Sequence, residues 1–146
     1  MIYTNLTKKA LKLCFEAHKE QTDKSGMPYV FHPFHLAEQM TDEKTTVAAL
    51  LHDVVEDTEY TFDDLIEMGF GEEVVDALRL LTHGDGVEYM DYVAALRHNP
   101  IAKAVKLADL RHNSDITRLD SPDAHALRRQ EKYLKAIEFL ADVGEN

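Results

Sequence analysis

Apolar side chains recur at helical spacing along nearly the whole of this chain, and no stretch alternates polar with apolar long enough to make a strand. The pattern predicts an all-α fold, a compact helical bundle. Leu6, Ala10, Leu13, Cys14 and Ala17 form one stripe of a first helix, which should end before the loop Ser25-Gly26-Met27-Pro28. Pro33 opens a short helix over 33–40, and a third should run over 43–57 with Thr41 or Asp42 as its cap. Thr61, followed by two acids, reads as the N-cap of a short helix ending at Met68, and Gly69 and Gly71 punctuate the passage into a helix over 72–81. The loop Thr82-His83-Gly84-Asp85-Gly86 precedes a helix over 88–98 and, with its two glycines, is suited to lie over a site. Pro100 starts a helix expected to reach Leu119, and Ser121-Pro122 supplies the cap and first-turn proline of a last amphipathic helix ending near Val143.

A chain of 146 residues can bury roughly two-thirds of its unfolded surface in one core without disulfides, so residues 1–146 are expected to form a single domain. Cys14 is the only cysteine, and its apolar neighbours make it a buried, inert thiol suited to a reducing cytoplasm. The first nine residues lack the apolar run of a signal peptide, and no stretch approaches the ~18 apolar residues of a membrane span. The expectation is a soluble, cytoplasmic protein without a membrane partner. Acidic side chains outnumber basic ones 27 to 16, for a net charge of −11, which argues against a nucleic-acid polymer as partner. The same field opposes a polyphosphorylated ligand unless a metal and local cations offset it.

The densest chemistry lies in Leu50-Leu51-His52-Asp53-Val54-Val55-Glu56-Asp57-Thr58. On a continuous helix at 100° per residue, His52, Asp53, Glu56 and Asp57 fall at about 0°, 100°, 40° and 140°, on one side. Three carboxylates in that arc repel one another, and a bound cation reverses the penalty. Glu56 and Asp57 are candidate acid/base residues, because mutual repulsion raises the pKa of one member toward the working range.

His32, His52, Asp53 and Asp109 have the chemistry of a mixed nitrogen and oxygen metal site drawn from three separate segments. Two imidazoles and two carboxylates suit manganese, iron or zinc better than magnesium or calcium. Lys106, Asp109 and Asn113 share a helix face at i, i+3 and i+7, which places a cation, a carboxylate and an amide together, as a phosphate ester beside a metal requires. A His-Asp dipeptide alone carries little information. The ordered set carries far more: a loop histidine, an apolar run ending in His-Asp, and a later Leu-Ala-Asp.

On those residues, with Lys24-Ser25-Gly26-Met27-Pro28-Tyr29-Val30-Phe31-His32-Pro33, Ala48 through Thr58, Phe70-Gly71, Lys106 through Asp109 and His112-Asn113, the chain resembles the HD-domain phosphohydrolases. Among them it is most similar to the hydrolase domain of the Rel/SpoT alarmone enzymes and to stand-alone small alarmone hydrolases. The resemblance spans residues 10–119. It implies that His32, His52, Asp53 and Asp109 ligate one divalent ion, usually Mn2+, and that Glu56 and Asp57 activate water. It implies further that Lys24, Ser25 and Asn113 contact a nucleotide and that the reaction removes the 3′-pyrophosphate of (p)ppGpp. No synthetase domain would fit in the remaining residues.

Four positions depart from that family's pattern: Ile116 and Thr117 differ from it, and two more reverse a charge. Asp23 stands where its loop carries arginine, and Asp115 stands where a second arginine follows the Asn113 position. Lys24, Lys106, Arg111 and Arg118 are then the candidate phosphate attractors. Two other readings stay open: an HD-type nucleotidase or NADPH phosphatase, and a non-catalytic metal- or nucleotide-binding regulatory module. His112 is expected to support the ligands by hydrogen bonding, Tyr89 and Tyr92 to pack in the core, and a second copy of the chain is a candidate partner.

Overall fold

Six of the described helices begin where a side chain accepts a backbone N–H group that the first turn leaves unpaired. The computed structural model describes residues 1–143, and among them the only β pairing is one isolated antiparallel bridge between Thr22 and Pro28. Thr4 and Thr7 close a reciprocal capping box, at 3.1 and 2.8 Å, that starts α1 (Asn5–His18). The second helix, α2 (Phe31–Glu38), starts two residues before Pro33, which sits in its first turn where a missing N–H costs nothing. Asp42 accepts from the Thr45 N–H at 2.8 Å and opens α3 (Glu43–Leu51).

The helix expected over 43–57 is interrupted. It stops at Leu51, His52 caps it, and Asp53 takes φ −109° and ψ 3° before a single turn, α4 (Val54–Asp57), resumes. That bridge conformation turns the chain at the two residues with the most chemistry. It also replaces the continuous arc expected of His52, Asp53, Glu56 and Asp57.

Thr61 and Asp64 form a second capping box for α5 (Phe62–Glu67), and α6 (Glu72–Leu81) follows Gly71, whose φ of 92° and ψ of 149° favour glycine. Glu88 caps α7 (Tyr89–Leu96) rather than joining it, and Asn99 caps α8 (Pro100–Asn113) with Pro100 at the first helical position. The helix expected to reach Leu119 ends at Asn113. Asp115 competes there by accepting the Thr117 N–H at 3.0 Å, which starts a 3-10 turn over Ile116–Arg118. The last helix, α9 (Ala124–Val143), is capped by Asp123 rather than Ser121: its carboxylate accepts from Ala126 at 2.8 Å and its carbonyl from Leu127 at 3.1 Å. Pro122 therefore precedes the cap.

At the centre is α3, whose residues from Val47 to Leu51 are buried on every side. It packs against α1, α2, α6 and α8, and α9 covers α8 from outside. Phe70, Leu65, Leu78, Leu96, Leu110 and Leu140 complete the core, each worth about 1.5–3 kcal/mol of burial. No described helix is long and apolar enough to cross a membrane. Because α2, the end of α3 and α8 meet, residues 32, 52–53 and 109 are brought together from distant parts of the chain.

Candidate active site

His32, His52 and Asp109 are all buried, and each offers a ligand atom lying within 4.8 Å of the other two. The imidazole centres of His32 and His52 are 5.3 Å apart. His32 Nε2 lies 2.9 Å from Asp109 Oδ1, and His52 Nε2 lies 3.6 Å from the same oxygen. The break after α3 brings Asp53 to the cluster, with its Oδ2 3.1 Å from His52 Nε2. Tyr29 donates its hydroxyl hydrogen to that same Asp53 oxygen.

The polar atoms behind these groups settle which atoms face inward. His52 Nδ1 donates to the Ala49 carbonyl at 2.7 Å, which leaves the Nε2 lone pair toward Asp53 and Asp109. That buried Nε2 makes a hydrogen bond with neither carboxylate. Burial opposes a charge on His52, yet the charges of Asp53 and Asp109 outweigh it and hold its pKa well above the usual value. The same attraction draws a divalent cation to this position. Two imidazole nitrogens, one of them orphaned and buried, and two carboxylates fit a divalent transition metal. His32 Nδ1 lies 2.7 Å from His112 Nδ1; donor and acceptor exchange with the tautomer, so His112 supports His32 in either state.

Asp109 is the most heavily bonded member. Lys106 Nζ donates to its Oδ2 at 3.0 Å and Asn113 Nδ2 to its Oδ1 at 3.0 Å, so the face expected at i, i+3 and i+7 exists. Burial alone would raise the Asp109 pKa, but Lys106, His32 and His52 hold it well below the carboxylate range. Lys106 is correspondingly held above the usual lysine value despite burial, by Asp109 and by Tyr92 and Tyr89, whose rings lie 5.1 and 6.0 Å away. Tyr92 packs in the core with its hydroxyl donating to the Leu81 carbonyl at 2.7 Å.

Glu56 and Asp57 lie exposed on α4, and among the described residues neither carboxylate has a hydrogen-bond or ion-pair partner. Both pKa values are raised, by partial burial first and by the charge of Asp53 second. Mutual repulsion contributes only third, and only for Glu56, so the acid pair is tuned by burial and then by Asp53 more than by itself.

Lys24 and Ser25 line a cleft of about 460 Å³ that also contains Tyr29, His32 and Asn113. Asp23 organises this loop, accepting the N–H groups of Ser25 at 2.8 Å and Met27 at 3.0 Å. Its other oxygen lies 3.7 Å from Arg118 Nη2, and Ser25 Oγ donates to the Arg118 carbonyl at 2.8 Å. Sequence reasoning left Tyr29 without a role and Asp23 without a partner. Their contacts span 24 and 95 positions and leave no local signal.

Residues 10–129 match the HD domain family. The chain is 34% identical over 150 residues to a probable GTP pyrophosphokinase of Mycobacterium leprae, covering 94% of this chain and 19% of that protein. It is 32% identical over 147 residues to the guanosine-3′,5′-bis(diphosphate) 3′-pyrophosphohydrolase of Aquifex aeolicus, covering 92% and 20%. The chain thus spans about a fifth of the length of these curated relatives. A solved structure described as a metazoan ortholog of SpoT that hydrolyzes ppGpp superposes with a TM-score of 0.73 at 28% identity, covering 98% of this chain and 87% of that one.

Proposed function

This chain belongs to the HD domain family, and from that premise we propose that it is a metal-dependent phosphohydrolase of a phosphorylated nucleotide, releasing the 3′-pyrophosphate of (p)ppGpp. One observation carries the reading: a buried cluster of His32, His52 and Asp109, with part-buried Asp53 beside it, stands one helical turn from two carboxylates that have no partner among the described residues. The names of the Aquifex relative and of the metazoan structure, both describing action on this nucleotide, support the choice of substrate.

His32, His52, Asp53 and Asp109 would hold one divalent ion; the mixed donor set suits manganese, iron or zinc, and we take it to be Mn2+ from the resemblance to the Rel/SpoT hydrolases. When bound, such an ion lowers the pKa of water and neutralises phosphoryl oxygens. Glu56 or Asp57 takes the proton of the attacking water, and its raised pKa favours that role. The water oxygen bonds to the phosphorus on O3′, the O3′–P bond breaks, and a proton passes to the leaving O3′. Lys24, Ser25 and Asn113 orient the nucleotide from the cleft, and Lys106 stabilises Asp109 while adding positive charge beside the reacting group. The lone buried cysteine suits a reducing cytoplasm, where we place the reaction.

Product analysis tests the reading. Protein with Mn2+ is incubated with ppGpp, pppGpp, pppApp, NADPH and nucleoside monophosphates. Equal amounts of GDP and pyrophosphate from ppGpp are expected. Orthophosphate from NADPH or the monophosphates alone would make it a monoesterase, and tight binding without turnover would make it a sensor.

A further inference from the structure

Beside the metal cluster, the cleft is bounded by the loop carrying Asp23 and Ser25, by the end of α8, and by the 3-10 turn carrying Arg118. Arg118 is clamped at one end. Its Nη1 donates to the His112 carbonyl at 3.0 Å and to Asn113 Oδ1 at 3.4 Å, while Asn113 itself donates to Asp109. Its Nη2 faces Asp23 Oδ2 at 3.7 Å, an ion-pair contact too long for a hydrogen bond, so donor capacity remains on that edge. The two side chains are about a quarter exposed, at 27% and 24%. Asp23 needs only its other oxygen to hold the loop, since Oδ1 alone accepts from Ser25 and Met27.

An arginine fixed by neutral acceptors and only loosely met by a carboxylate is poised for a stronger anion. A phosphate brings more charge and several acceptor oxygens that suit the guanidinium fork, whereas a partly exposed ion pair at this distance contributes little. We infer that Arg118 reads a phosphate of the substrate in this cleft and that Asp23 is its built-in stand-in anion, released when the phosphate arrives. The inference rests on the phosphohydrolase reading for its ligand class and deepens it by naming a specificity residue. In a chain of net charge −11, the arrangement also keeps a carboxylate from repelling the ligand until the ligand competes for its partner.

The test is the sign of two substitutions. Binding of inorganic pyrophosphate to the Mn2+-loaded protein is measured by calorimetry, alongside steady-state kinetics with ppGpp. Arg118→Ala should weaken pyrophosphate binding about tenfold and raise KM with kcat little changed, and Arg118→Lys should recover part of the loss. Asp23→Asn keeps the loop-holding oxygen and should tighten binding about threefold. A merely structural ion pair predicts weakening by both, so weakening by Asp23→Asn, no change in either variant, or no pyrophosphate binding by the parent protein would overturn the inference. Opposite signs with no ppGpp turnover would leave the inference standing and sink the proposed substrate. Turnover of ppGpp with like signs would do the reverse.

Discussion

Replacing Asp109 by asparagine isolates the electrostatic centre of the site. In the metal-free protein the carboxylate accepts from His32, Lys106 and Asn113, and it is the close anionic partner of Lys106, whose side chain is only 12% exposed. Asp109→Asn keeps one oxygen for His32 and Asn113 but sets an amide where Lys106 meets Oδ2, leaving an ammonium without its counter-charge. Breaking a buried pair from one side costs about 3–5 kcal/mol, and the residual exposure of Lys106 places the expectation near 3. For a chain of this length that lowers Tm by roughly 10 °C. Lys106→Met on top should restore about 2 kcal/mol, because the stranded charge is then gone. Urea denaturation of the four proteins in EDTA gives the cycle, and Mn2+ titration of the folded variants should show weakened binding in both that lack the Asp109 carboxylate. A coupling energy below about 0.5 kcal/mol, or undiminished Mn2+ affinity in Asp109→Asn, would refute the reasoning.

Glu56→Gln and Asp57→Asn should each cut turnover by orders of magnitude while leaving Mn2+ bound, measured by product formation and metal content. Both carboxylates have folded-state pKa values above their ordinary ones, so the folded state holds their protons more tightly and loses stability as pH rises through that interval. The amide variants escape that loss, and in EDTA at pH 7 each should melt slightly higher than the parent, an activity-for-stability exchange that thermal scans at pH 4 and 7 would expose. Cys14 lies buried in α1 with its thiol pushed up to about 12 by burial and then by Asp53, so a thiol reagent at pH 8 should label it only on unfolding. Rapid labelling of the native protein would contradict the packing.

Most of the helix starts were legible locally because their signals are local: Asp42 and Thr61 each cap a group three residues on, and Pro100 occupies the first position of its helix. Of the helix ends, those of α5 and α6 were legible and that of α8 was not. Asp115 ended α8 early by taking the Thr117 N–H, and periodicity carries no trace of that competition. The break at His52-Asp53 was likewise invisible, since an apolar run into Val54-Val55 continues the helical pattern. Chemistry types fared better, because only a few side chains can ligate a transition metal, and the order of His32, His52-Asp53 and Asp109 restricts their use.

By itself, then, the amino-acid order determined an all-helical chain and the inventory of imidazoles and carboxylates available for chemistry. Tertiary structure decided how those groups face one another. The turn at Asp53 brings two neighbouring side chains to one cluster, Lys106 is committed to Asp109, the acid pair takes its tuning from burial and then from Asp53, and Asp23 meets Arg118 across 95 positions. The physical reason is range. Helix propensity and capping act over three or four residues, whereas the fields and hydrogen bonds that set protonation act through space, between segments that only the packing of α2, α3 and α8 brings together.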